Sequence, residues 1–77
     1  MKDIILDILR ELQPGAAFDE RSRLLDDGLI DSFDMVTLVS ELDTRFAISI
    51  DGADIVPDNF DSVGAIAALL EGYGVVT

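Results

Sequence analysis

Seventy-seven residues with 49% hydrophobic content make one small domain with a modest core, not a disordered tail. Sixteen acids against five bases give a net charge of −11, which excludes nucleic acid as a natural partner, since binding its phosphates needs Lys and Arg, and favours basic protein surfaces. Neither cysteine nor histidine occurs, so there is no disulfide framework, no cysteine nucleophile, no thiolate or imidazole metal site and no histidine general base.

Taken in chain order, Lys2–Leu12 reads as a first helix. Ile5, Ile8, Leu9 and Leu12 follow the i, i+3, i+4, i+7 spacing of one face, Ile4 and Leu6 broaden it, and Pro14-Gly15 stops it. Residues 13–30 are long for a connection in so small a chain. Phe18, Leu24-Leu25 and Leu29-Ile30 are its apolar anchors, with Asp26-Asp27-Gly28 as a turn between the last two pairs. The expected form is an ordered crossover with a short helical turn at 22–25.

A second helix opens at Asp31-Ser32 and runs to Phe46. Either residue suits the N-cap. Met35, Leu38, Val39, Leu42 and Phe46 share its core face, and Phe33, Thr37, Ser40 and Thr44 lie roughly opposite. Phe33 has two readings: the preceding loop folds over it, or it meets a partner. Ser32 lies at the positive end of the helix dipole, where a phosphate ester would be stabilised.

Residues 47–51 alternate apolar and polar, yet no other segment alternates to pair with them. They read as an extended connector burying Ile48 and Ile50. Residues 52–56 suit a short helix ended by Pro57, and Asp58-Asn59-Phe60 a turn anchored by Phe60. A last helix spans 63–71 behind Asp61-Ser62, with Gly72 as its C′ residue and a loose tail over 73–77. The fold class is all-α: a small four-helix bundle of three main helices and one short one, with a long crossover between the first two.

The chemistry of an enzyme is hard to find here. An EF-hand loop begun at Asp26 or Asp51 meets Gly28 or Ala53 at its third position, so no calcium loop forms, and no other metal site is expected. Ser32 has neither a Gly-x-Ser-x-Gly setting nor a histidine, which excludes a serine hydrolase. Ser62, also behind an aspartate at a helix start, reads as an ordinary N-cap. No apolar run approaches membrane-spanning length and no signal core is present, so a cytoplasmic protein without membrane insertion is expected.

Residues 24–36, LLDDGLIDSFDMV, then 38–46, LVSELDTRF, together with Ile48-Ser49-Ile50, Asp54-Ile55, Phe60, Ser62-Val63 and Ile66, resemble the acyl carrier protein family over nearly the whole chain. The specific element is Gly-x-x-Asp-Ser within this helical frame. The resemblance implies a non-catalytic, monomeric carrier whose Ser32 receives a covalent 4′-phosphopantetheine arm from coenzyme A, by the action of a phosphopantetheinyl transferase. The arm's thiol would hold an acyl or aminoacyl group as a thioester, so the reactive sulfur is imported. Asp31 matches the acid before the modified serine. Phe33 stands where the family commonly has Leu or Met and implies apolar partner contact. Asp34, Val36 and Ser40 match the helix surface touched by loading and acyl-transferring enzymes with basic docking surfaces. Thr37, Ser40 and Thr44 are neutral, and Arg45 basic, where fatty-acid carriers hold more acids. The Gly-Leu-Ile-Asp-Ser-Phe element is closer to D-alanyl carriers and to stand-alone carriers of polyketide or peptide pathways. The alternative is an acidic helical interaction module with this fold and no prosthetic group.

Overall fold

The structure, a computed structural model, describes residues 2–19 and 22–75. The elements in order are α1 (Lys2–Leu12), α2 (Ser32–Phe46), a 3-10 turn (Gly52–Asp54), α3 (Pro57–Phe60) and α4 (Val63–Gly72), with no strand among the described residues. The expected all-α bundle, with three main helices and a short one, is what forms. α1 packs against both α2 and α4, and α3 packs against α4.

The core follows the helical spacing closely. Ile5, Ile8 and Leu9 of α1, Leu38 and Leu42 of α2, and Val63, Ile66 and Leu70 of α4 are fully enclosed around Leu24 and Phe60. Leu24, Phe18 and Ile30 bury the crossover's anchors, so burial rather than regular structure orders this connection. Its turn occupies 24–28 instead of 22–25. Asp27 N–H donates to the Arg23 carbonyl at 2.9 Å, Gly28 N–H to Leu25 at 3.1 Å, and Gly28 takes the left-handed conformation (φ 71°) that closes it. Asp61 from the far side of the chain explains the shift. One oxygen of its carboxylate accepts from the amides of Leu25 at 3.1 Å and Asp26 at 3.2 Å, while its carbonyl accepts from Leu24 at 2.7 Å.

Three boundaries differ from the sequence expectation. Pro57 opens α3 rather than ending a helix: at N1 its missing N–H would have been unpaired anyway, and its fixed φ suits the first turn. Residues 58–60 are therefore helical, and the preceding turn is 3-10 over Gly52–Asp54, capped by Asp51 accepting from Ala53 N–H at 2.8 Å. α4 includes Gly72. The left-handed residue is Gly74 (φ 82°), in a Schellman arrangement in which Val75 N–H reaches the Leu70 carbonyl and Gly74 N–H reaches Glu71.

The tail is accordingly not loose over 73–75. Tyr73 and Val75 pack against the core, and the Tyr73 hydroxyl donates to Asp54 Oδ2 at 2.6 Å while accepting from Asp51 N–H at 2.7 Å. That hydrogen bond to the Asp54 carboxylate raises the Tyr73 pKa above its ordinary value, with the Asp51 amide opposing it. Residues 76–77 lie outside the described residues. The connector differs at its first residue, since Ala47 closes α2 in the left-handed conformation (φ 52°); over 48–51 there is no regular structure, Ile50 is buried, Ile48 half-buried, and Asp43 ties the segment down by accepting from Ile50 N–H at 3.0 Å.

Candidate functional site

The start of α2 decides between its two possible caps. Asp31, extended at φ −113°, is the N-cap, and its Oδ1 accepts from Asp34 N–H at 2.8 Å. Asp34 returns the bond, its Oδ2 accepting from Asp31 N–H at 3.4 Å, which completes a capping box. Ser32 is consequently the first residue inside the helix, not its cap. It is exposed, and its hydroxyl has no hydrogen-bond partner among the described residues.

The amides of Ser32 and Phe33 belong to the helix's first turn and find no acceptor among the described residues either. A free hydroxyl therefore adjoins two free backbone donors at the positive end of a 15-residue helix. A donor set of this kind at a helix start suits a negatively charged oxygen group.

Phe33 is 78% exposed and Val36 62%. The crossover does not fold over Phe33, so the first of its two readings fails. Phe33, Val36 and Ser40 follow i, i+3, i+7 spacing and are all exposed, so they make one outward face beginning beside Ser32.

Asp34 departs from this group. It is half-buried, and besides the Asp31 amide its Oδ2 accepts from Gln13 Nε2 at 2.8 Å. Its carboxylate is thus drawn inward to hold the fold. The other acids of α2 are engaged as well. Asp43 accepts from Ile50, and Glu41 lies 3.9 Å from Arg45, whose guanidinium also reaches both carboxylate oxygens of Glu11 at 3.2 and 3.3 Å. Gln13 and Asp61 are the residues that sequence reasoning missed here. Both act across more than twenty positions in the chain, and nothing in their own neighbourhoods marks them.

No group of three or more Asp or Glu side chains among the described residues comes together to hold a metal ion. No helix among them is long and apolar enough to cross a membrane.

A chain in the crystal structure of Bradyrhizobium japonicum glycine:carrier protein ligase complexed with glycylated carrier protein superposes on this one with a TM-score of 0.77 and 28% identity. The match spans 88% of this chain and 95% of that one, so it runs carrier against carrier. This chain has the fold of a carrier protein. The resemblance carried by residues 24–46 is thereby borne out, with an exposed serine at the start of α2 in a carrier-fold frame. No protein-family model matches the sequence, and no curated protein matches it significantly.

Proposed function

We propose that this chain is a carrier protein that takes a 4′-phosphopantetheine arm on Ser32 and bears an aminoacyl or acyl group as a thioester. The observation that carries the reading is the state of Ser32. Its hydroxyl is exposed and has no partner among the described residues, because Asp31 has taken over the capping. The arm would supply the thiol that a chain without cysteine lacks.

The chain's own part is to present one oxygen. Ser32 Oγ would form the new bond to phosphorus as the bond from that phosphorus to the adenosine bisphosphate half of coenzyme A breaks, and a base of the transferase would take the serine proton. The Ser32 and Phe33 amides face the phosphodiester that results, and the Asp31–Asp34 capping box keeps the first turn rigid around it. Phe33 and Val36, with Ser40 beyond them, offer partner enzymes an apolar foothold a turn away from the modified residue. Asp31 contributes charge toward the basic docking surfaces of the transferase and of loading enzymes. The likeness to a glycylated carrier favours an amino acid as cargo, and an aminoacyl ligase as the loading enzyme.

Intact mass after incubation with coenzyme A, magnesium and a broad-specificity phosphopantetheinyl transferase tests the proposal. The expected result is one added phosphopantetheine on wild type and none on Ser32→Ala. A folded wild type that gains no mass, and carries no arm when recovered from its native host, would point instead to an acidic interaction module with a carrier's fold.

A further inference from the structure

We propose that Gln13 is a positioning residue for Ser32, holding the start of α2 from the end of α1; the inference rests on the carrier reading of Ser32. Gln13 has a fixed backbone. Its amide donates to the Leu9 carbonyl at 3.0 Å, its carbonyl accepts from Ala16 N–H at 3.0 Å, and Pro14 follows directly. The side chain therefore projects from a rigid point. Its Nε2 donates to Asp34 Oδ2 at 2.8 Å across 21 positions of sequence, in a partly buried setting.

That same oxygen is the acceptor for Asp31 N–H, at the longer distance of 3.4 Å. Without Gln13, the Asp34 carboxylate would keep only this weak contact and would turn toward water. The Asp31 amide would then lose its partner and half of the capping box would open. Ser32 lies between the two members of that box, so Gln13 reaches it through Asp34 and Asp31. Phe33 shares that box with Ser32, whereas Val36 stands beyond it in the body of the helix. Loosening should harm the alignment of Ser32 Oγ with the reacting phosphorus more than it harms docking.

Three substitutions separate these effects. Gln13→Ala removes the donor, Gln13→Glu sets a carboxylate against that of Asp34, and Gln13→Lys retains a donor at similar reach. Two readouts are needed: kcat and KM for phosphopantetheine transfer to each purified variant, and amide exchange at Asp31 and Asp34 by NMR. The expected outcome is a kcat reduced about fivefold to tenfold in Gln13→Ala, what one lost hydrogen bond is worth, and further in Gln13→Glu, with a smaller change in KM. Exchange at the Asp31 amide should quicken in both, and Gln13→Lys should behave as wild type. Wild-type kcat in Gln13→Ala and Gln13→Glu, or unchanged exchange at Asp31, would overturn the proposal. Failure of wild type itself to accept the arm would sink the reading of Ser32, and the exchange measurement would then judge the grip of Gln13 alone.

Discussion

The chain contains Asp-Ser at two helix starts, and the two pairs divide their labour in opposite ways. Before α4 the serine caps: Ser62 Oγ accepts from Ala65 N–H at 3.0 Å, and Asp61 turns away to hold the crossover through the amides of Leu25 and Asp26. At α2 the aspartate caps, and Ser32 is pushed one position into the helix with nothing to bond. The difference is set by where the acid's second use lies. Asp61 has an orphan turn within reach, whereas Asp31 has only its own helix, where Asp34 three residues on completes a box. A dipeptide's role thus depends on what the fold brings to its aspartate. A serine relieved of capping is one that can be modified without cost to the helix.

The sharpest way to break this comparison is to remove each hydroxyl. Ser32→Ala should lose all phosphopantetheine addition by intact mass and leave the melting temperature nearly unchanged. Ser62→Ala should be modified like wild type and lose about 1 kcal/mol, a drop of roughly 4–8 °C for a domain of this size. A Ser32→Ala protein that melts as low as Ser62→Ala would show the two serines to be equivalent caps.

The aspartates should both cost stability, but at different places. Asp31→Ala opens the capping box and should cost about 1–2 kcal/mol by urea denaturation, with slower modification of Ser32. Asp61→Ala leaves the Leu25 and Asp26 amides without their acceptor and should cost roughly 1–2 kcal/mol, since its bonds are only partly buried. Its loss should appear in amide exchange at 24–28 rather than at the start of α4. Faster exchange at α4 alone would mean that Asp61, not Ser62, is the effective cap.

Phe33→Ala sharpens the contrast from the surface side. With 78% of Phe33 exposed, stability should change by less than about 0.5 kcal/mol, while transfer by the loading enzyme falls through a raised KM. A large stability loss would place Phe33 in the core after all.

How far the sequence could be read follows from which interactions are local. The α1, α2 and α4 stripes were legible because burial imposes a 3.6-residue spacing that each helix displays by itself. Phe33 was legible as outward-facing by its place opposite Met35, Leu38 and Leu42, whereas Val36 was singled out only by the family resemblance. The choice of Asp31 as cap was not legible, since Asp and Ser are equally good caps in isolation. Gln13 and Asp61 were invisible because each finds its partner only after the crossover has folded. Pro57 was misread as a stop because proline marks a helix's first turn and its aftermath alike, and only the neighbouring backbone distinguishes them. Gly74 was missed in favour of Gly72 because two glycines stood within reach of the C-terminus.

The other end of α4 offers the smallest test, and it extends the comparison. Just as Asp61 ties the start of α4 to the crossover, Tyr73 ties its end to the 47–56 connector by donating to Asp54 and accepting from Asp51. α4 is anchored to a connection at each end, and α2 likewise is held at its start by Gln13 and near its end by Asp43. The hydrogen bond to the Asp54 carboxylate disfavours ionisation of the phenol, outweighing the opposing Asp51 amide, so its pKa is raised in the folded chain. A raised pKa means that the folded state prefers the neutral phenol. The stabilisation is therefore fully present below the ordinary value of 10.0 and is lost as pH climbs through the higher folded value. Tyr73→Phe should lower the melting temperature slightly at neutral pH, and the gap from wild type should close above about pH 10. A gap that stays constant through that range would mean that the Tyr73 ring, not its hydroxyl, holds the end of α4.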